Sequence, residues 1–342
     1  MKRAFVLMVA GCSTLADAGG GDANAPNALA GPFREVRREE LGQGRTAPYA
    51  LRDEDGGVRD VSVLDDDGDP ATLGVIALAA RRGASAGSTP DASLPTNELV
   101  RFSARDGRSF ELVPTVVLAA QAAGEGGVVG APSALRLADG VWLYYAAADG
   151  IRLAHATDGL TFERDSTNPV LATATGGWDE GHTPSSPSIV RLPDGSWRMF
   201  YEALGAVGEA RSQDGRQWTR GVEAVLRPPD GAAGLAAPCA VLSRSALGRE
   251  RLWLYHSLES ADGRRTIEVA AREGFDGPFI GGTATVFGFG SELAPTEPNV
   301  VRFADFSLLF VTQRAGKSAA QAYPGVAVGV APAALGLPAP NP

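Results

Sequence analysis

The side chains able to do acid–base chemistry are few, and they stand in unusual places. Asp60 opens the alternating apolar run DVSVL (60–64), and Glu297 opens EPNVVRF (297–303), directly before a proline. Glu202 interrupts the apolar run MFYEA, where a carboxylate is costly unless it is solvated or paired. Two carboxyl groups can hydrolyse an acetal when roughly 5–5.5 Å apart for retention, or about 6.5–9.5 Å for inversion, provided one keeps its proton. The segment Trp178-Asp179-Glu180-Gly181-His182 could offer an aromatic platform with a carboxylate or imidazole beside it. It could equally be a connecting loop with Trp178 packed inside.

Other chemistries find little support. Ser185, Ser186 and Ser188 lack the strand–turn–helix setting of a nucleophile elbow, and no Ser/His/Asp set has motif-like spacing. His155 and His256 fall in strand-like runs and read as packed residues. With three histidines and two cysteines in the chain, no metal site is expected, and no cofactor motif is present. Asp65-Asp66-Asp67-Gly68-Asp69 suggests a calcium loop, but Pro70 follows and no Glu closes it, so a solvated turn is expected.

The elements that must position these residues form a repeat. One segment type carries a proline followed by alternating apolar residues: APSALRL (131–137), SPSIVRL (186–192), APCAVL (237–242) and EPNVVRF (297–303), with DVSVL (60–64) as a degenerate copy. A polar turn follows, then an aromatic strand such as VWLYYAA (141–147), SWRMFYEA (196–203) or RLWLYHS (251–257). A third strand ends in an Asp-Gly turn leading to Phe110, Phe162 or Trp218; Phe33 and Phe279 open fourth strands after Gly-Pro. Proline cannot donate to a ladder, so it fits a strand start or an unpaired edge. Each repeat is therefore a four-stranded antiparallel meander. Phe33 precedes every first strand, and the last copy (297–331) lacks a fourth, so the segment near 33–41 is expected to supply the outer strand of the last sheet. The expectation is an all-β, five-bladed β-propeller of four-stranded antiparallel sheets, its ring closed by that N-terminal strand.

Composition agrees. The 342 residues are 44% hydrophobic, enough to bury a core, and Gly 43 with Pro 23 favours short elements joined by turns. A net charge of −9 argues against a nucleic-acid partner. Lys2 and Arg3 precede the apolar stretch Ala4 to Ala10, and Val9-Ala10-Gly11-Cys12 resembles a bacterial lipobox. Residues 1–11 then read as a signal peptide, Cys12 as the lipidated anchor to a membrane, 12–32 as a flexible linker, 33–331 as the propeller and 332–342 as a tail. A bacterial cell-envelope location, at an outer membrane or cell surface, follows. Cys239 is left without a disulfide partner and is expected to be a buried thiol acting as a small hydrophobe.

The order x-Pro-Ser, Asp-Gly, Trp/Tyr-rich strand, then Asp-Gly-x-x-Phe/Trp resembles the five-bladed propellers of family 43 and family 32 glycoside hydrolases, within the arabinanase–levansucrase–invertase-like group. The segment GGWDEGHTPSSPSIVRLPDGSWRMFYEA (176–203) carries the likeness best. The resemblance implies that the first strand of each blade lines a central channel, with Asp60, Ala131, Ser186, Ala237 and Glu297 at the substrate pocket. Family 43 enzymes place carboxylates in blades one, two and three, and family 32 in blades one, three and four. Ala131, Ser186 and Ala237 break both sets.

In a closed ring the first and last blades are neighbours, so Asp60 and Glu297 should approach each other as a displaced acid/base pair, or Glu297 could cap turn amides at the rim. The ends of the second strands should add Arg81, Glu202, Ser257 and Gln313 to the rim. Three readings follow: a lipid-anchored glycosidase-like propeller that recognises, and with a non-standard carboxylate set could hydrolyse, a neutral oligo- or polysaccharide; a non-catalytic carbohydrate-binding propeller; or an envelope protein-interaction scaffold. Acidic charge disfavours anionic polysaccharides.

Overall fold

The computed structural model describes residues 8–9, 34–35, 58–65, 74–81, 83, 95–104, 110, 114–244, 249–287, 293–302, 306–315 and 322–330. Cys12, the linker, Phe33, the turn at 66–69, Asp106-Gly107 and the tail lie outside the described residues. The described strands form five sheets. Their innermost strands are Val58–Asp65, Gly130–Leu137, Ser185–Arg191, Ala232–Arg244 and Leu293–Arg302. Each inner strand packs beside the next, and the last packs beside the first, so the sheets close a β-propeller ring.

The fifth sheet is completed from the other end of the chain. Arg34–Glu35 pairs antiparallel with Ala322–Val330, in register Arg34↔Val328 and Glu35↔Ala327. Met8–Val9, inside the stretch read as an export signal, pairs with the same strand. The outermost strands of the second and third sheets are reduced to Glu163–Arg164 and Thr219–Arg220.

Five apolar clusters occupy the five seams between sheets. Alternate residues of each second strand feed opposite seams. Tyr145 joins the cluster between the first and second sheets, and Tyr144 the one between the second and third. A strand buried on both faces is mostly apolar, which is why the aromatic runs show no polar alternation; the buried Arg198 among them is paired with Glu209 at 3.1 Å. The Asp-Gly turns hold the blades' outer corners. Asp158 and Asp214 each accept two backbone N–H groups, from Leu160 and Thr161 and from Arg216 and Gln217, at 2.8–2.9 Å. Gly215 sits at φ 74° with the Tyr144 hydroxyl donating to its carbonyl at 2.7 Å, leaving no room for a Cβ. The aromatic residue after each turn, Phe110, Phe162 or Trp218, then plugs a seam, as Phe279 does after Gly277-Pro278.

A second device ties the inner strands together. Each carries a two-against-one bulge, and the polar residue just after it accepts a backbone N–H from the next sheet. Ser62 accepts from Ala134 (3.0 Å), Ser133 from Ile189 (3.2 Å), Ser188 from Ala240 (2.8 Å), Cys239 from Val300 (3.3 Å) and Asn299 from Val63 (2.9 Å). This belt of five bonds runs once round the axis. Cys239 is therefore more than a small hydrophobe: its buried sulfur fills the place taken by serine in three other sheets. Burial raises the Cys239 thiol to about 12, so it stays protonated.

Removing one belt acceptor leaves a buried N–H unpaired, which costs about 1–3 kcal/mol. Ser133→Ala and Ser188→Ala are each expected to lose that much in urea titrations. Cys239→Ser, which restores the neighbours' residue type, should change stability by less than about 1 kcal/mol. Losses indistinguishable from zero at both serines would contradict the belt.

Candidate active site at the channel mouth

The bulges also make the mouth of the axial cavity. The first bulged residue of each inner strand is left-handed: Asp60 (φ 53°), Ala131 (44°), Ser186 (47°), Ala237 (49°) and Glu297 (55°). Glycine usually takes such a position, and each non-glycine residue there costs about 1–2 kcal/mol. In four of the five sheets the next residue is proline, whose missing N–H is no loss where the ladder is interrupted. The prolines read from sequence as strand starts are thus bulge residues within the strands.

These residues line an axial cavity of about 40 Å³, with room for on the order of three water molecules. A sugar ring cannot enter it and would have to sit at its mouth.

Three carboxyl groups meet there. The Asp60 N–H donates to Glu297 Oε2 (3.2 Å), and Asp60 Oδ2 accepts the Ala131 N–H (3.2 Å). Burial, then the adjacent Glu297 charge, push Asp60 well above the usual carboxylate range, while Arg59, at 3.8 Å, pulls the other way. The Asp60 N–H contact brings the two acids side by side as a like-charge dyad, in which burial and the neighbouring charge favour the protonated form of Asp60. Glu202 reaches the same mouth from the second strand of the third sheet. Its Oε2 accepts from the Ser186 hydroxyl (3.3 Å) and the Ala237 N–H (3.2 Å). Burial raises Glu202 as well, opposed by those two hydrogen bonds, with the Glu297 charge adding to the rise and Arg265 opposing it.

The other expected site residues are dispersed. Trp178 stacks on Tyr201 (6.1 Å between centroids) in the seam of the second and third sheets. Asp179 is 1% exposed and accepts from Tyr201 Oη (3.0 Å) and Arg220 Nε (3.2 Å), so it braces the loop. Glu180 and His182 are exposed on the loop that leads into the inner strand carrying Ser186.

Arg81 is engaged by Glu98 at 2.8 Å and pairs with Val58, one step beyond the rim position, which belongs to Ala80. Gln313 likewise pairs with Pro295, one step past Thr312; its side chain lies outside the described residues. Thr312 is the rim residue that sequence reasoning missed, and its hydroxyl accepts the Asp60 N–H at 3.3 Å. Ser257, as expected, reaches the rim and accepts the Glu297 N–H at 3.0 Å. Among the described residues, no group of three or more His, Cys, Asp or Glu side chains could hold a metal ion.

The raised carboxyls set a sign for pH dependence. A carboxyl raised in the folded state binds more protons there than when unfolded, so its contribution is lost as pH climbs from about 4 through the folded pKa. Asp60→Asn keeps an acceptor for Ala131 and tolerates positive φ. Its stability advantage over the wild type is expected to grow between about pH 4 and 8 in thermal melts. A constant difference across that range would refute the raised Asp60 carboxyl.

No protein-family model and no curated protein sequence matches the chain. Solved structures do. An exo-1,5-α-L-arabinanase from a bovine ruminal metagenomic library is 12% identical, covering 83% of this chain and 94% of its own, with a TM-score of 0.57. A thermostable family-43 glycoside hydrolase is 14% identical over 84% and 95% (TM-score 0.56). A putative glycosidase from Bacteroides thetaiotaomicron is 15% identical over 91% and 96% (TM-score 0.58). At these identities the likeness is one of architecture: the chain has the β-propeller fold found in glycoside hydrolases.

Proposed function

We propose that the mouth of the axial cavity binds the end of a neutral oligo- or polysaccharide. The observation that carries this reading is the meeting of Asp60, Glu297 and Glu202 around a cavity of about 40 Å³, too small to hold a sugar ring. A dyad in which Asp60 is pushed toward its protonated form can present a donor and an acceptor side by side, which suits a sugar hydroxyl that must both give and receive a hydrogen bond. Ser186 lies within the same cup, and the exposed Glu180 and His182 stand on the loop beside it.

Hydrolysis is the second reading, favoured by one observation: burial raises the Glu202 carboxyl, the direction a general acid requires. In that reading Glu202 protonates the leaving oxygen and the dyad activates water. The neighbouring folds include enzymes named for arabinan and xyloside substrates, so arabinose- and xylose-containing oligosaccharides are the first ligands to try.

Calorimetric titration with such oligosaccharides is expected to show binding that Asp60→Ala weakens by at least about tenfold, the effect of losing one good hydrogen bond to a charged group. Wild-type affinity unchanged in Asp60→Ala and Glu202→Ala would remove the mouth as the site. With chromogenic arabinosides and xylosides, turnover abolished by Glu202→Gln selects the hydrolytic reading, and binding without turnover selects recognition alone.

We further infer that the propeller is tethered to the bacterial envelope through lipid on Cys12, on the strength of the Val9-Ala10-Gly11-Cys12 match. Two or more acyl chains give stable anchoring. Cys12→Ala should move the protein from the membrane to the soluble fraction, and unchanged partitioning would refute lipidation.

A further inference from the structure

The ring of left-handed residues is regular except at one seam. Each such residue can direct its N–H back toward the preceding sheet, and the acceptor there comes from one of two places. One is the preceding sheet's own left-handed residue: Glu297 for Asp60 and Asp60 for Ala131, both 3.2 Å. The other is the second-strand residue beside it: Thr312 for Asp60 (3.3 Å), Glu202 for Ala237 (3.2 Å) and Ser257 for Glu297 (3.0 Å).

For Ser186 the two places belong to the second sheet, and both carry methyl groups. They are Ala131 and Ala146, the latter pairing with Gly130 as Glu202 pairs with Ser185 and Ser257 with Ala236. Among the described residues the Ser186 N–H has no side-chain acceptor. By the equivalence of the five sheets, this donor points across the seam into the mouth that Ser186 lines.

We propose that the Ser186 backbone N–H, with the two alanines opposite and Glu202 beside it, is a subsite for an uncharged ligand oxygen, specifically a saccharide hydroxyl. The proposal rests on the reading of the mouth as a saccharide site. The hydroxyl accepts from the Ser186 N–H, as Glu202, Ser257 and Asp60 do at other seams, and donates a hydrogen bond to the Glu202 carboxyl, whose Oε2 already lies 3.3 Å from the Ser186 hydroxyl. A carboxylate or phosphate in that place would face Glu202, Glu297 and Asp60 together, so the subsite selects a neutral oxygen. The small side chains of Ala131 and Ala146 leave the space the hydroxyl needs. The seam between the second and third sheets therefore sets the ligand's orientation.

Two variants separate hydrogen bonding from bulk. Ala146→Thr supplies the acceptor that Thr312 supplies in the fifth sheet, and Ala146→Val has the same shape without it. In unliganded protein, residue-resolved amide exchange is expected to show Ser186 exchanging at least about tenfold faster than Ala131, Ala237 and Glu297, with Ala146→Thr slowing it and Ala146→Val not. Xylobiose or arabinobiose should slow the wild-type Ser186 amide, and should bind about tenfold more weakly to Ala146→Thr than to Ala146→Val. A Ser186 amide as protected as the other three in unliganded wild type overturns the proposal, even if neither variant folds. Saccharide binding that leaves Ser186 exchange unchanged, or equal affinities of the two variants, overturns the subsite while leaving the mouth as the binding site. Absence of binding by either disaccharide and by longer neutral oligomers removes both.

Discussion

The belt of inner-strand hydrogen bonds is the constraint on which the rest of the molecule depends. Five sheets that touch only through apolar seams could slide past one another, because burial is proportional to area and indifferent to direction. A side-chain acceptor just after each bulge, taking an N–H from the next sheet, fixes the register of every neighbour. Each bond is individually modest, but its loss strands a buried donor, so the belt resists being broken at any point. Ser62, Ser133, Ser188, Cys239 and Asn299 differ in size and chemistry, yet all present an acceptor at the same height.

Fixing that height fixes the mouth. The bulge that brings each belt residue into place also forces the residue two positions earlier into the left-handed region, with its side chain at the opening. Backbone strain is thereby concentrated around the cavity and held there by seams that bury Tyr144, Tyr145, Tyr201 and Tyr255 completely. Because the five positions are equivalent in backbone, the sequence can vary what each one presents. Here it places acids on one side, at Asp60 and Glu297, and small residues on the other, at Ala131, Ser186 and Ala237. Glu202 is the exception that reaches across from a second strand.

Much of this was legible in the sequence because repeats report their own geometry. The proline-marked segments located four of the mouth residues and their degenerate copy DVSVL the fifth, and the displaced Phe33 signalled that the N-terminal segment completes the last sheet, as Arg34–Glu35 does. The rim residues Arg81 and Gln313 were misplaced by one for a physical reason. The end of an apolar run does not fix which residue stands opposite the bulge, and a choice one residue too far exchanges Ala80 for Arg81 and Thr312 for Gln313 while Glu202 and Ser257 fall in place. The loop carrying Trp178 and Asp179 could not be assigned from local sequence, since its partners Tyr201 and Arg220 lie 22 and 41 residues further on. The polar residue after each proline was visible all along. Its meaning required a closed ring, in which the acceptor of one repeat serves the donor of the next.

The central claim is that a neutral saccharide seats at the axial opening against the three carboxyl groups. A crystal structure of the protein grown with xylobiose or arabinobiose tests it most directly. One sugar residue is expected over the opening, with hydroxyl oxygens within hydrogen-bonding distance of the Asp60–Glu297 dyad and of Glu202. A saccharide bound in a seam or at an outer strand, with the opening unchanged, would contradict it.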